Sequence, residues 1–246
     1  MNWKTSNKCI VIAHRGDTTA ATENTLPAFE AALKRGVDGI ECDLQLTEDG
    51  RVIVFHDWDL TRLGHRNLKI GETSWQELRS IPLVNGAPIP TLEELLDLAG
   101  GRTLVNLELK TLFYFKSDLE KRVLEILKKF PQKSSLLLSS FNPFALWRIK
   151  RMAPEFLRGY LFEDKPWPHH SLSPFVSPFS INAPFSHTRH TLVERAHKAG
   201  RKFFVWTVND ENDMKKAIAM GVDGIMTDRP HQLLNLLKGS PSGRSE

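Results

Sequence analysis

Cysteine is scarce in this sequence: Cys9 and Cys42 are the two cysteines among 246 residues. Two cysteines exclude both the disulfide framework of a small secreted domain and a zinc site with four cysteine ligands. Both residues lie on predicted strands, and we interpret them as small buried hydrophobic residues rather than as catalytic thiols.

Long apolar segments and basic clusters are also missing. No run of about 18 apolar residues occurs, so we expect no transmembrane helix and no stable membrane insertion. The N-terminal residues lack the long apolar stretch of a secretory signal, and no lipidation motif occurs, which together predict a cytoplasmic location. The nearest approach to a basic cluster, residues 148–158, is interrupted by Ala, Pro and Phe. Such a segment is typical of a solvated helix face, so no nucleic-acid partner is predicted.

What the sequence does contain is typical of a soluble globular protein. Hydrophobic residues make up 41% and charged residues 25% of the chain, both ordinary values. The net charge of +4 is mildly basic and fits attraction to a small anion such as a phosphate ester. The length of 246 residues also fits a (β/α)₈ barrel, which typically has about 250 residues.

Short apolar segments alternate with amphipathic stretches along the chain. This alternation predicts an α/β fold with a parallel sheet and helices between its strands. Thr25 is predicted to cap the first helix, which ends at Gly36, while Thr91 begins a capping box. The predicted strands cover residues 10–13, 39–44, 51–55, 104–110, 136–139, 157–161, 203–207 and 224–227. The main predicted helices cover residues 25–36, 91–100, 117–130, 143–152, 191–199, 212–220 and 230–237.

Two similar segments near opposite ends of the chain indicate a closed barrel. Residues 35–43 and 220–228 each contain a glycine that ends a helix, a short loop and a strand that ends at aspartate. A barrel of repeated αβ units produces such an echo, so we predict one (β/α)₈ domain covering residues 1–246. Residues 56–90 are too many for a simple connection and are predicted to form an insertion over one barrel end. Residues 239–246 are expected to be a disordered tail.

The segment from Glu163 to Pro184 breaks the alternation. Five prolines in it, at positions 166, 168, 174, 178 and 184, oppose a long helix. We therefore expect the fifth barrel helix to be short or missing, and no pattern here gives clear bounds for the sixth barrel strand.

Three carboxylates and a lysine are predicted to point into the barrel. Side chains alternate across a strand, so Asn106, Glu108 and Lys110 share one side while the apolar residues between them face the helices. Glu41 and Asp43 alternate with apolar residues in the same way. Buried carboxylates are costly unless they are paired or bind a cation. Salt bridges from Lys110 could neutralise one of the three, whereas one hard divalent cation, Mg²⁺ or Ca²⁺, suits the whole oxygen set.

Two histidines follow strands at the same predicted end of the barrel. His14 and then Arg15 come directly after the first strand, and His56 comes after the strand at 51–55. Barrel active sites lie at the carboxyl ends of the strands. Histidine can exchange protons near neutral pH, and arginine suits a phosphate oxyanion. The other seven histidines are predicted to lie in loops or on helix surfaces.

These residues lie within longer motifs that closely resemble those of glycerophosphodiester phosphodiesterases. The resemblance runs from about residue 10 to residue 237, and it implies a (β/α)₈ barrel with a small insertion after the second strand. Thr22 stands where the family usually has proline before Glu-Asn-Thr, a difference that would loosen the loop carrying Glu23. The motifs are HRG at 14–16, ENTLPAF at 23–29, GIECDLQLT at 39–47, VFHD at 54–57, LELK at 107–110, VWTVN at 205–209 and GIMTDRP at 224–230.

The resemblance implies a metal centre and an acid–base pair. Glu41, Asp43 and Glu108 correspond to the family's ligands for one divalent cation, Mg²⁺ or Ca²⁺. His14 and His56 correspond to its general acid and general base.

The resemblance also implies four substrate-binding residues. Arg15 and Lys110 correspond to phosphate contacts. Glu23 corresponds to a glutamate near the metal and the glycerol, although an acidic residue before a helix is also favoured by the helix dipole. Trp206 corresponds to an aromatic wall of the substrate pocket, although barrel packing alone would also explain it.

The implied reaction is metal-dependent hydrolysis of a small-molecule glycerophosphodiester to sn-glycerol 3-phosphate and an alcohol. Attack by the glycerol 2-hydroxyl, through a cyclic phosphate, and direct attack by water both remain open. A related enzyme acting on lysophospholipids or sphingomyelin would need an apolar slot. A catalytically silent binding barrel would be expected to lack a catalytic histidine or a metal carboxylate. No residue pattern indicates an oligomeric state. Apolar candidates for the slot are Phe113, Phe115, Trp167, Phe175 and Phe179.

Overall fold

The computed structural model describes residues 1–5, 9–111, 118–163 and 175–239. Eight parallel strands close into a barrel, since β1 pairs with both β2 and β9 and the other strands follow in sequence between them. The predicted (β/α)₈ barrel is therefore confirmed. The strands are β1 (Ile10–His14), β2 (Gly39–Leu46), β3 (Val52–Val54), β4 (Leu104–Leu109), β5 (Leu136–Ser140), β6 (Leu157–Leu161), β7 (Ser180–Pro184), β8 (Lys202–Trp206) and β9 (Gly224–Thr227).

Two strands differ from the predicted set. The segment predicted at 51–55 is β3, which pairs antiparallel with β2 as a hairpin and lies outside the barrel. The sixth barrel strand is β7, Ser180–Pro184, between β6 and β8. Its buried Ser180 and Asn182 hydrogen-bond to each other at 2.8 Å. The strand is short, and with prolines at 178 and 184 it offers only Ile181 and Ala183 as an apolar pattern, which is too little to mark a strand in the sequence.

The helices agree closely with the predicted ones. Gly36 ends α1 with a left-handed φ of 78°, and Thr91 and Glu94 form the predicted capping box of α4. Thr25 occupies the cap position of α1, but its hydroxyl donates to the carbonyl of Thr22, so the predicted side-chain cap is wrong. The helices are α1 (Leu26–Arg35), α2 (Thr61–Gly64), α3 (Trp75–Ser80), α4 (Leu92–Ala99), α5 (Asp118–Leu127), α6 (Pro143–Met152), α7 (His190–Lys198), α8 (Glu211–Ala219) and α9 (Pro230–Gly239).

Two predicted segments, the C-terminal tail and the fifth barrel helix, lie largely outside the described residues. Helix α9 continues to Gly239, where the predicted tail was to begin, and residues 240–246 lie outside the described residues. Most of the region predicted for the fifth barrel helix, 164–174, also lies outside them. Across the described part of the chain, none of the helices is both long and apolar enough to cross a membrane.

An apolar plug fills the end of the barrel where the strands begin. Trp3 closes this end: its indole N–H donates to the carbonyl of Ser135 at 2.8 Å, and its ring packs against Phe204. Because this half is apolar, the polar inward-facing side chains are confined to the other end. The plug consists of Trp3, Ile10, Ile12, Leu104, Leu137, Phe204 and Met226.

Residues 56–90 lie between β3 and α4 and contain α2 and α3. With Ile53 and Phe55 they build a small core of their own, separate from the core between strands and helices. Gln45 of β2 fixes the start of the segment, because its amide nitrogen lies 2.8, 3.0 and 2.7 Å from the carbonyl oxygens of Phe55, His56 and Asp57. The segment is thereby anchored to the barrel at the position of His56.

Candidate active site

Three carboxylates meet inside the barrel at the carboxyl ends of two neighbouring strands. Glu41 and Asp43 lie on β2, and Glu108 on β4 is paired in register with Asp43. One carboxylate oxygen from each residue lies within 4.8 Å of the others. Glu41 and Asp43 are almost fully buried, with 3% and 1% of their surface exposed. The cluster is therefore a compact set of oxygen donors in a low-dielectric position.

Burial and mutual repulsion disfavour the simultaneous ionisation of these three carboxylates. Burial, together with Asp43 and Glu108, raises the pKa of Glu41 well above its ordinary value. Burial and Asp43 likewise raise the pKa of Glu108 to about 7. The Nζ atom of Lys110 lies 3.3 Å from Glu108 and 3.6 Å from Asp43. Glu41 instead accepts a hydrogen bond from the backbone N–H of Arg15 at 3.2 Å. Salt bridging by Lys110 therefore accounts for part of the cluster only.

Asp43 is the most strongly compensated member of the cluster. Burial alone would raise the pKa of Asp43, but Arg15 and Lys110 lower it below its ordinary value. The Nε atom of Arg15 lies 3.1 Å from Asp43 Oδ2, and the side-chain amide of Asn24 donates to the same oxygen at 2.8 Å. Asp43 thus stays ionised and holds Arg15 against the cluster.

Both histidines are held by a carboxylate through the same ring nitrogen. Nδ1 of His14 lies 2.7 Å from Asp228 Oδ1, and Nδ1 of His56 lies 2.7 Å from Asp57 Oδ1. Such a pair places the Nδ1 proton toward the carboxylate and leaves Nε2 to exchange a proton with substrate. Nε2 of His14 lies 4.0 Å from Glu41, so this nitrogen points toward the carboxylate cluster.

The sequence analysis assigns no role to the partners of these histidines, Asp57 and Asp228, although both occur in the motifs noted above. Asp57 is marked by following His56 directly. Asp228 is marked by the echo in the sequence, because it occupies the position that Asp43 has in the first repeat. Asn209 holds Asp228 in turn. Its side-chain N–H₂ donates to Asp228 Oδ2 at 2.6 Å, and its side-chain Oδ1 accepts from the backbone N–H of Asp228 at 2.9 Å.

The loop after β1 carries the guanidinium into the site in a strained conformation. Arg15 and Asn24 have left-handed φ values of 56° and 57°, and Gly16 has 89°. Such conformations cost about 1–3 kcal/mol for a residue with a side chain and persist where the surroundings fix them. The backbone N–H of Asn24 donates to the carbonyl of Arg15 at 2.9 Å. The loop therefore closes on itself at the arginine.

Gly16 is required both by its backbone angle and by its neighbours. A Cβ atom added there would lie 2.7 Å from the backbone carbon of Ala28. Gly16→Ala is expected to destabilise the protein by about 2–4 kcal/mol and to lower kcat, because the loop carrying Arg15 must move. Gly36→Ala is the matched control, since Gly36 has a similar φ of 78° but open space around its Cβ position. Thermal unfolding of both variants tests this, and equal losses would contradict the steric argument.

One cavity of about 150 Å³ opens at this end of the barrel. Trp206 forms one wall, with its ring edge-on to Phe141 at 5.6 Å and its N–H donating to the carbonyl of Asn182. The lining residues are His14, Arg15, Glu41, His56, Asn106, Glu108, Lys110, Phe141, Leu161, Glu163, Trp206, Thr207 and Met226. Seven of the nine predicted site residues are thus brought to one cavity, and Asp43 lies directly behind it.

Glu23, like Asp43, is not among the residues that line the cavity. Its carboxylate accepts hydrogen bonds from Arg15 Nη1 at 2.9 Å and from both terminal nitrogens of Arg62. The loop that carries it is tied to residues 56–90 through Thr22, whose hydroxyl donates to the carbonyl of Val84 at 2.5 Å. Thr22 therefore supplies a contact that the proline usual at this position could not make.

The aromatic residues considered for an acyl slot do not form one in the described part of the chain. Phe175 is 47% exposed and stacks on Trp147, and Phe179 packs against the apolar plug. Neither is among the residues that line the cavity. Phe113, Phe115 and Trp167 lie outside the described residues.

Comparison with known proteins identifies the family. The model of the glycerophosphoryl diester phosphodiesterase family matches residues 14–232. The chain belongs to that family. It is 35% identical over 242 residues to a glycerophosphodiester phosphodiesterase of Caldanaerobacter subterraneus subsp. tengcongensis, an alignment that covers 94% of this chain and 98% of that protein. As a member of the family, the chain is a phosphoric diester hydrolase.

Solved structures of family members have the same fold. An Oleispira antarctica phosphodiesterase, solved in complex with the product sn-glycerol-3-phosphate, is 30% identical with a TM-score of 0.88, covering 94% of this chain and 97% of that chain. A Thermotoga maritima glycerophosphodiester phosphodiesterase is 30% identical with a TM-score of 0.78, covering 94% and 99%. The likeness extends over nearly the whole barrel.

Proposed function

We propose that this enzyme hydrolyses glycerophosphodiesters to sn-glycerol 3-phosphate and an alcohol, with one divalent cation and with His14 and His56 as its acid–base pair. The observation that carries the proposal is one cavity in which both histidines face carboxylates together with Arg15 and Lys110. The sn-glycerol-3-phosphate complex of the Oleispira antarctica relative supports a small-molecule product of this size.

The donor set of Glu41, Asp43 and Glu108 fits a hard divalent cation. Mg²⁺ and Ca²⁺ prefer carboxylate oxygens, and these three offer one oxygen each within 4.8 Å of the others. Burial and repulsion raise the pKa values of Glu41 and Glu108, so three negative charges are disfavoured here without a cation, which supports the proposal. When bound, such a cation supplies positive charge that polarises a phosphoryl oxygen and stabilises the transition state. We assign all three residues as its ligands.

Arg15 and Lys110 orient the phosphate in this proposal. Both side chains lie at the edge of the carboxylate cluster and line the cavity. Burial opposes their charge, but the carboxylates raise the pKa of both, so both stay protonated. A fixed guanidinium and a fixed ammonium provide donors for phosphoryl oxygens whose charge increases during the reaction. Glu23 holds Arg15 in place at 2.9 Å.

His56 is the proposed base and His14 the proposed acid. Burial lowers the pKa of His56 below its ordinary value, outweighing the opposing effects of Asp43 and Asp57. His56 is therefore neutral at pH 7 and accepts a proton at Nε2 from the attacking hydroxyl, which belongs either to water or to C2 of the glycerol. His14, held by Asp228, then gives a proton to the departing alkoxide. Both modes of attack use the same two nitrogens.

The remaining cavity wall suits the glycerol part of the substrate. Trp206 and Phe141 contribute apolar ring surface to the cavity that the charged residues also line. A short polyol lies well against an aromatic face that covers its C–H groups while its hydroxyls reach polar side chains such as Asn106. The cavity, at about 150 Å³, is small for an acyl chain.

The product assay tests this proposal directly. Phosphorus NMR of purified protein with sn-glycero-3-phosphocholine and Mg²⁺ or Ca²⁺ is expected to show the diester signal replaced by that of sn-glycerol 3-phosphate. Lysophosphatidylcholine and sphingomyelin should be hydrolysed at least about tenfold more slowly, because the described cavity offers no acyl slot. Faster turnover of either lipid would instead place the enzyme among lipid phosphodiesterases of the D type.

A further inference from the structure

We propose that Arg62, in the segment 56–90, is a positioning residue that holds His56 and Arg15 in their working geometry through Asp57 and Glu23. The proposal rests on the proposed function, since it concerns the proton-transfer and phosphate-binding groups assigned above. It adds a role for the segment 56–90 beyond the small core that this segment builds.

One guanidinium joins two carboxylates from different parts of the chain. Arg62 Nε donates to Asp57 Oδ2 at 2.6 Å, and Nη2 donates to Asp57 Oδ1 at 3.1 Å. On its other edge, Nη1 donates to Glu23 Oε2 at 3.0 Å and Nη2 to Glu23 Oε1 at 2.7 Å. Both contacts are bidentate, the arrangement that fixes orientation as well as distance.

Each of these carboxylates also contacts a residue that lines the cavity. Asp57 Oδ1 lies 2.7 Å from His56 Nδ1, and Glu23 Oε1 accepts from Arg15 Nη1 at 2.9 Å. The planar guanidinium therefore fixes the imidazole ring relative to the phosphate-binding arginine. Without it, two neighbouring carboxylates would face each other with one cation fewer between them. The expected consequence is rotation of the Asp57 and Glu23 side chains.

Arg62 is not itself placed to bind the substrate. It is absent from the residues that line the cavity, and four of the five N–H groups of its guanidinium already donate to the two carboxylates. Its side chain is 47% exposed, so the fold does not depend on burying it. The Thr22–Val84 hydrogen bond still ties the loop to the segment when Arg62 is removed.

The test compares Arg62→Ala with Arg79→Ala. Arg79 lies in the same segment and forms a bidentate pair with Glu94 at 2.8 and 2.9 Å, away from the cavity. With sn-glycero-3-phosphocholine as substrate, Arg62→Ala should lower kcat by about 10–100-fold, the scale of a misplaced catalytic group. KM should change less than kcat, because no direct phosphate contact is lost. Arg79→Ala should keep the wild-type kcat. A kcat of Arg62→Ala within about twofold of wild type would overturn the proposal.

A double-mutant cycle separates positioning from a general structural role. Because Arg62 acts partly through Asp57, adding Arg62→Ala to Asp57→Asn should reduce kcat by a smaller factor than Arg62→Ala does in the wild type. Full multiplication of the two single effects would overturn the proposal.

Imidazole nitrogen NMR supplies a readout that needs no turnover. The His56 ring signals should shift in Arg62→Ala and stay unchanged in Arg79→Ala. Unchanged signals in Arg62→Ala would refute the positioning role of Arg62. The wild-type protein could hydrolyse no glycerophosphodiester while those signals still shift in Arg62→Ala. In that case the positioning role of Arg62 is upheld and the proposed function fails.

Discussion

Replacing His56 or His14 by alanine is expected to lower kcat by about 10²–10⁴-fold, the usual contribution of a positioned general acid or base. His56 would be lost as the group that accepts the proton of the nucleophile, and His14 as the group that protonates the leaving alkoxide. The measurement is kcat of the purified, folded variants with sn-glycero-3-phosphocholine. Near-normal turnover in either variant would remove that residue from the mechanism.

The pH profile distinguishes the two roles. A general base is active above its pKa, and burial places the pKa of His56 below its ordinary value. The acidic limb of kcat/KM should therefore disappear in His56→Ala, and the alkaline limb in His14→Ala. His197→Ala is the matched control, because His197 also pairs with an aspartate, Asp223, at 2.8 Å but near the opposite end of the barrel. Its kcat and both limbs should match the wild type.

The second large expected effect is that of Glu41→Gln, which should lower activity without lowering the stability of the cation-free protein. Glu41→Gln removes a proposed cation ligand while keeping the shape of the side chain. Activity at a fixed cation concentration should fall by at least about 100-fold, since even outer-shell changes cost about 10–100-fold in metal affinity or activity. The cation-free variant should nevertheless be as stable as the wild type or more stable, because burial raises the pKa of Glu41 and disfavours its charge.

A buried glutamate outside the cavity provides the control for Glu41→Gln. Glu120 is fully buried in α5 and pairs with Arg148. Glu120→Gln should lower the melting temperature, because the half-buried Arg148 loses its fully buried charged partner, and it should leave kcat unchanged. The measurements are thermal unfolding with and without cation, together with kcat. A strong loss of stability in cation-free Glu41→Gln would contradict the electrostatic argument.

The strands and the residues on them follow from the sequence because alternation is a local property. Glu41, Asp43 and Glu108 alternate with apolar neighbours, so their inward direction could be predicted from the residues beside them. The sixth strand could not, because Ile181 and Ala183 are the only apolar residues in this five-residue strand and prolines lie at or near both of its ends.

Local sequence patterns do not predict the contacts between separate loops. Thr25 was predicted as a helix cap from its residue type, but its hydroxyl donates to the carbonyl of Thr22. Glu23 is predicted from the family resemblance to lie near the metal and the glycerol, and this stays a prediction; the structure adds that its partners are Arg15 and Arg62. Arg62 lies 39 residues from Glu23 in a segment without clear periodicity. Its pairing therefore depends on the tertiary fold of that segment.

The activity of metal-stripped protein against several glycerophosphodiesters, with Mg²⁺ and Ca²⁺ restored separately, tests the central claim most directly. The carboxylate cluster predicts that the stripped protein is inactive and that at least one of these cations restores the release of sn-glycerol 3-phosphate. Full activity without any divalent cation, or no activity toward any glycerophosphodiester with either cation, would contradict it.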